Sequence, residues 1–406
     1  MMTRYRTSLA LTMTAAATAL LVGAAAAASQ RHTPVPKARP AVAKTTPAKS
    51  AVQAKPTSLR SVIPLAPSPA LGEAATDLAT VKQAFELIRK GKADGADDLE
   101  AQIRDPVARK LVEWAVLRSD DTQAGFARYL AFMTANPSWP SAGIMRRRAE
   151  RTLWEERRDP AAVRSFFATT KPLTAPGRLA LARALMATGD RTAAQYYVRE
   201  AWRNDVFGSD LESEVLETFP DLLTRADHRA RADRRLYDND NDTALRAAAR
   251  AGGAAPAIAK ARIAVASKAS NAEALLDAVP EEARDDVGYR FSRIQWLRRN
   301  NRVPEAVRLM LAAPRDPQVL GDLDEWWVER RLLAREMLDA GDPQTAYRIA
   351  RDAASPPREN YRGEQEFTAG WIALRFLNNP EAALAHFARI GRDTANQITL
   401  ARAIWP

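Results

Sequence analysis

From Glu73 onward, apolar residues recur at three- and four-residue spacing and almost nowhere alternate, which predicts α-helices and no strands. Val81, Ala84, Phe85 and Ile88 fall on one predicted face. Similar stripes run through residues 107–117, 124–132, 179–186, 257–265, 326–338 and 367–376. Alanine and arginine dominate these segments, and both favour helix. The breaks between stripes are short: Asn136-Pro137, Asp159-Pro160, Gly189-Asp190, Asn300-Asn301, Gly341-Asp342-Pro343 and Asn378-Asn379-Pro380. Asp or Asn before Pro or Ala caps the following helix, while Gly or Asn closes the preceding one. The pattern therefore predicts a chain of helical hairpins.

Some hairpins echo one another. Residues 184–196 align with 336–348, and in both a glycine (Gly189, Gly341) precedes an alanine (Ala194, Ala346) by five positions. That places a small residue in the second helix, where a neighbouring helix can approach closely. Residues 297–309 and 377–387 repeat the arrangement more loosely. Hairpins that cannot bury their apolar faces alone do so by stacking. The predicted fold is all-α: a curved superhelix of stacked hairpins, an α-solenoid that is tetratricopeptide-like without matching that consensus.

The first 72 residues follow different rules. Arg4 and Arg6 precede an apolar, Ala-rich run over residues 8–28 that ends in small residues, the pattern of an export signal cleaved after Ala26 or Ala28. An uncleaved anchor is the alternative, but Ala and Thr insert weakly; no integral membrane span is expected after cleavage. Residues 29–72 are Pro, Ala, Lys, Thr and Ser, too poor in apolar surface to offset ordering entropy, and read as a disordered spacer. Nine Lys and Arg residues and no acid precede Glu73, so of the net charge of +11 the remainder of the chain carries only +2. The high isoelectric point thus belongs to the tail, and no nucleic-acid partner is expected. The expected domains are a signal peptide (1–28), a linker (29–72) and a helical body (73–406), in an exported protein. Cysteine is absent from the chain, which excludes disulfides, thiolate catalysis and Cys-based metal sites.

Candidate chemistry is sparse. Asp238-Asn239-Asp240-Asn241-Asp242 begins like a calcium loop, but Thr243 stands where glycine is needed and Ala249 where a bidentate glutamate is needed. The run reads as a solvated connection capping a helix from Thr243. His32, His228 and His386 lack zinc-site spacing, and Gly252-Gly253 follows a helix, so it is no phosphate loop. Trp326 and Trp327 point about 100 degrees apart on a helix, one into the core and the other toward a neighbouring hairpin or a sugar ring, with core packing favoured. Arg146-Arg147-Arg148 and Arg234-Arg235 suit either acidic partners or solvated helix faces. No residue is assigned as catalytic, cofactor-binding or metal-binding, and no cofactor is expected.

Five segments, residues 172–180, 227–236, 288–295, 324–331 and 367–377, together resemble the superhelical, U-shaped region of soluble lytic murein transglycosylases. The resemblance spans about residues 80–403. It implies a periplasmic protein associated with peptidoglycan, in a family that cleaves the glycosidic bond between the two murein sugars non-hydrolytically, using one glutamate as acid and then base. That chemistry needs a single carboxyl of raised pKa in a sugar cleft. The family's catalytic Glu-Ser and downstream Gly-Leu-Met-Gln lie in a lysozyme-like domain after the superhelix. Here the sole Glu-Ser is Glu212-Ser213, inside the helical body, with no Gly-Leu-Met-Gln after it. The expectation is a superhelical region that is inactive alone, truncated ahead of its catalytic domain, whose partners are glycan strands. The rival expectation is a standalone scaffold for other cell-wall proteins; a third is a remnant that still folds. A final apolar stripe at Ile398, Leu400 and Ile404 is expected to form an uncapped end that frays or dimerises.

Overall fold

A computed structural model describes residues 71–391 and 396–404; the expected signal peptide and nearly all of the expected linker lie outside the described residues. Within them the chain forms 21 α-helices, one 3₁₀ turn and no strand. In chain order the helices are α1 (Leu71–Arg89), α2 (Ala93–Glu100), α3 (Pro106–Arg118), α4 (Phe126–Ala135), α5 (Ala142–Glu155), α6 (Pro160–Phe166) and α7 (Ala175–Ala187). There follow α8 (Arg191–Asn204), α9 (Ser209–Thr218), α10 (Arg225–Tyr237), α11 (Asn241–Ala251), α12 (Ala255–Ala266), α13 (Ala272–Asp277) and α14 (Val287–Arg299). The last are α15 (Val303–Leu311), α16 (Pro317–Leu320), α17 (Leu323–Asp339), α18 (Pro343–Arg351), α19 (Glu359–Arg375), α20 (Pro380–Arg389) and α21 (Gln397–Ile404).

All six predicted breaks fall between these helices. Asp159, Asp190, Asp342 and Asn379 each accept a hydrogen bond from a backbone N–H two or three residues on, at 2.9–3.0 Å. The glycine-to-alanine spacing recurs more widely than the sequence suggested. Gly91, Gly189, Asn239, Asn301, Gly341 and Asn378 all take positive φ, and the residue five places on is a buried alanine in every case: Ala96, Ala194, Ala244, Ala306, Ala346 and Ala383. The left-handed residue lets the next N–H reach back to a carbonyl in the preceding helix, as from Asp190 to Leu185 at 3.0 Å and Asp342 to Met337 at 2.8 Å. The chain then reverses, and the alanine lets the second helix lie close to the first.

The principal helix packings join elements no more than three places apart in chain order. Buried apolar residues accordingly divide into clusters strung along the sequence, from Ala84–Val116 at one end to Ala373–Ala403 at the other. One predicted face is rotated. Ala84 is buried, with Val81, Leu87 and Ile88 packed around it, but Phe85 is 37% exposed. At the C-terminal end, α21 buries Thr399 and Ala403, Leu400 is half-buried, and Ile398, in the stripe expected to be left uncapped, is 63% exposed.

Charged side chains join successive hairpins in a regular way. Arginines reach back about thirty residues to the carbonyls at a preceding helix C-terminus: Arg148 Nη1 to Leu117 O (3.1 Å), Arg183 Nη2 to Trp154 O (3.0 Å), Arg231 Nη1 to Trp202 O (2.8 Å) and Arg235 Nη2 to Asn204 O (3.2 Å). Carbonyls in a helix's last turn lose their i+4 partners and carry the negative end of the helix dipole, so a guanidinium placed there is favourable. Acids serve helix N-termini. Asp77 accepts from Asp105 N (2.8 Å), Glu156 from Phe126 N (2.7 Å) and Glu150 from Thr174 N (2.8 Å).

Candidate functional site

Glu212, the only Glu-Ser glutamate, lies on α9 and is 1% exposed. Arg250 Nη1 meets its Oε1 at 2.5 Å, Arg246 Nη2 its Oε2 at 3.1 Å, and Arg231 Nη2 stands 3.8 Å away. An acid catalyst must present its carboxyl to substrate in an open cleft. Glu212 presents its carboxylate to three guanidiniums inside the fold, which makes it a structural anchor between α9 and α11.

The other residues singled out by sequence are also structural. The acidic run is a helix-to-helix turn: Asp238 closes α10 and pairs with Arg235 at 2.9 Å, Asn239 takes φ of 60°, and Asp240 caps α11, which starts at Asn241 and not at Thr243. His228, on α10, meets Trp202 edge-on at 5.3 Å, and burial pushes its imidazole below its usual value. His386, on α20, is buried between Tyr347 Oη (3.0 Å from Nε2) and Glu366 Oε2 (2.7 Å from Nδ1), which ties α18, α19 and α20 together. Trp326 and Trp327 both enter the core, donating to Leu320 O at 3.0 Å and Glu364 Oε2 at 3.2 Å. The arginine runs divide: Arg147 and Arg234 are exposed, or nearly so, but Arg235 is fully buried, so the solvated-face reading fails there. Its partner carbonyl lies 31 residues upstream, beyond any local pattern.

The five family-like segments prove to carry the links between hairpins. Glycines in three of them make room for a side chain from an adjacent helix. A Cβ at Gly177 would collide with the Glu150 carboxylate, at Gly288 with the Arg262 guanidinium, and at Gly370 with the Phe387 ring. Segment 227–236 contains the buried Asp227, Arg231 and Arg235, and segment 324–331 contains the buried Asp324, Glu329 and Arg330. These positions are set by packing, and none of them faces an open site.

Binding chemistry appears at other positions, several of them in segment 367–377. A basin of about 480 Å³ is bounded by α17, α19 and α21. Trp371 and Phe376 supply an aromatic wall, edge to face at 5.0 Å, and Phe376 is 44% exposed. Arg335 and Asp339 stand exposed on the rim from α17. Glu364 is fixed within it by Arg331 at 2.8 Å and Arg402 at 3.7 Å. Aromatic faces with planar charged groups beside them suit a sugar, whose rings present apolar C–H faces and hydroxyl edges. Sequence reasoning missed this site because its walls are separated by up to 68 residues, between Ala334 and Arg402. Its one local signal is Trp371, four residues after Phe367 and five before Phe376.

Glu325, on the first turn of α17, is a carboxyl of raised pKa that also lines a cleft. Withdrawal from water, and then repulsion from Asp322, raises it above the usual value. It lines a cleft of only about 190 Å³, with Tyr237 and Phe291. Pockets for drug-sized ligands occupy roughly 300–1,000 Å³, so this one does not admit a disaccharide.

No protein-family model matches the chain, and no curated protein matches it. Among solved structures it is similar to the crystal structure of the 70 kDa soluble lytic transglycosylase from Escherichia coli. The identity is 13% and the TM-score 0.35, over 80% of this chain and 73% of that one.

Proposed function

We propose that the described body is a peptidoglycan-associated binding platform that holds glycan strands in the Trp371 basin and performs no bond cleavage with its own described residues. In this reading residues 1–28 direct export to the periplasm and are removed, residues 29–72 act as a spacer, and the hairpins stack as a right-handed, U-shaped superhelix. Packing confined to near neighbours in chain order supports the stacked arrangement. The five segments similar to lytic transglycosylases support the peptidoglycan context. The single observation that carries the binding role is the basin itself, which Trp371 and Phe376 line together with Arg335 and Asp339.

The test is co-sedimentation of the purified protein with isolated sacculi, together with chromatography of the released material. The expected result is saturable binding with no anhydro-muropeptides released, and Trp371→Ala weakening binding about fivefold, since an aromatic contact contributes about 1 kcal/mol. Equal binding by Trp371→Ala removes the basin from the reading, and release of anhydro-muropeptides refutes the non-catalytic role.

A further inference from the structure

A second cleft, of about 760 Å³, opens where α12 and α13 meet α14. Its cationic residues are Lys268, Arg298 and Arg299, and its apolar wall is formed by Val265, Ala269 and Trp296. Two of its charges are already matched: Arg298 Nε lies 2.5 Å from Glu329, and Glu273 faces Arg302 at 3.8 Å. Neither Lys268 nor Arg299 has a carboxylate within 4.0 Å among the described residues. Arg299 donates one N–H to Val265 O, at 2.7 Å, in the manner of the other arginine links. Burial pushes its guanidinium below the usual value, so an added anion would relieve it.

Lys268 is the unusual residue. It has φ of 56° at the end of α12, where Ala269 N reaches back to Ala264 O at 2.9 Å. Six comparable helix ends in this chain use glycine or asparagine. Asparagine tolerates the left-handed region and glycine has no side chain to clash there, whereas lysine gains nothing from it. Arg157, after α5, is the other exception; Ser141, also left-handed, stands at the start of α5. A strained residue persists where its side chain is wanted, and this one places an unpaired ammonium on the wall of the cleft.

From that juxtaposition we infer that the cleft binds a small ligand bearing a carboxylate, which sits between Lys268 and Arg299 while a ring-shaped or apolar body rests against Val265, Ala269 and the half-buried Trp296. The carboxylate could belong to an acidic sugar or to an aryl acid; the shared chemistry is the anion on a compact body. This site stands independently of the glycan reading of the Trp371 basin.

Isothermal titration of the whole chain separates these sources. The probes are N-acetylmuramic acid, phenylacetate, N-acetylglucosamine and inorganic phosphate. Saturable binding of either carboxylate, with neither N-acetylglucosamine nor phosphate matching it, supports the site and identifies the body it prefers. Lys268→Gly removes the cation and the backbone strain together. It is expected to raise the melting temperature while weakening carboxylate binding about tenfold, the loss that accompanies one charge-assisted hydrogen bond. Equal binding of N-acetylglucosamine or phosphate overturns the inference, as does absence of binding by all four probes or unchanged affinity in Lys268→Gly. Sacculus binding through the Trp371 basin is unaffected by this variant, so the two readings fail separately.

Discussion

Glu150 and Gly177 provide the sharpest test of how the hairpins are joined. The Glu150 carboxylate is fully buried and accepts from Leu173 N (2.9 Å), Thr174 N (2.8 Å), Thr174 Oγ1 (2.7 Å) and Arg146 Nε (3.2 Å). Glu150→Ala leaves two backbone donors at the start of α7 without their acceptor and Arg146 without its partner, at a cost of about 3 kcal/mol. Gly177→Ala places a Cβ against the same carboxylate, whose Cδ and Cγ would stand 2.8 and 3.0 Å away. The carboxylate cannot swing aside without giving up the bonds just named. Overpacking of this kind costs about 1–3 kcal/mol, set against roughly 0.5–1 kcal/mol gained when alanine replaces glycine in a helix. The net cost in the native background is therefore about 1 kcal/mol. With Glu150→Ala in place the obstruction is gone, and Gly177→Ala becomes favourable by about 0.5–1 kcal/mol. The cycle should show a coupling of roughly 2 kcal/mol, measured by urea denaturation of the four proteins followed by far-ultraviolet circular dichroism. Additivity within about 0.5 kcal/mol would refute the view that this glycine exists to admit the carboxylate.

Other outcomes follow from the same geometry. Although burial alone would raise Glu366, hydrogen bonds from His386 and Arg389 hold it below its usual value of 4.5; burial opposes ionisation of Asp227 likewise, yet Thr224 and Arg203 hold it below 3.8. A folded-state pKa below the unfolded one stabilises at higher pH, and that stability is lost as pH falls through the folded value. Urea midpoints should thus decline once pH drops below about the unfolded carboxylate range, and Asp227→Asn should flatten that decline. Gly341, at φ of 77° with nothing within 4 Å of the place a β-carbon would occupy, should tolerate alanine sterically yet lose about 1 kcal/mol from the left-handed backbone; an unchanged melting temperature would contradict this.

Helices and turns were legible because their determinants are local. An Asp or Asn at a helix start, a glycine or asparagine able to take positive φ, and an apolar stripe all lie within a few residues of what they control. The recurrent pairing of a left-handed residue with a buried alanine was visible at Gly189 and Gly341, where glycine announces it. It was hidden at Asn239 because Asp238 to Asp242 resembles a metal loop, although Asp240 is engaged as a helix cap at 3.3 Å from Thr243 N. Phe85 misled for another reason. Periodicity places it beside Ala84, but the helices packed on α1 meet the side of Val81, Leu87 and Ile88. The basin was illegible because Trp371 shares it with Arg335 and Arg402, which no short window brings together.

Arginine shows most clearly where local reading stops. With 60 Lys and Arg residues against 49 acids, an abundant basic residue suggests an anionic partner, yet the fold uses much of its arginine internally. Arg231 and Arg330 are fully buried, and burial pushes each down to about 10, a penalty tolerated because each guanidinium closes helix-end carbonyls. Replacing such a residue by methionine removes the desolvation penalty but leaves those carbonyls open, so the two effects oppose each other. The count of basic residues therefore says little about binding in a fold of this kind. What carries information is a cation left over once helix ends and carboxylates have taken theirs, and in the cleft at the end of α12 that residue is Lys268, held in a backbone conformation that its side chain does nothing to favour.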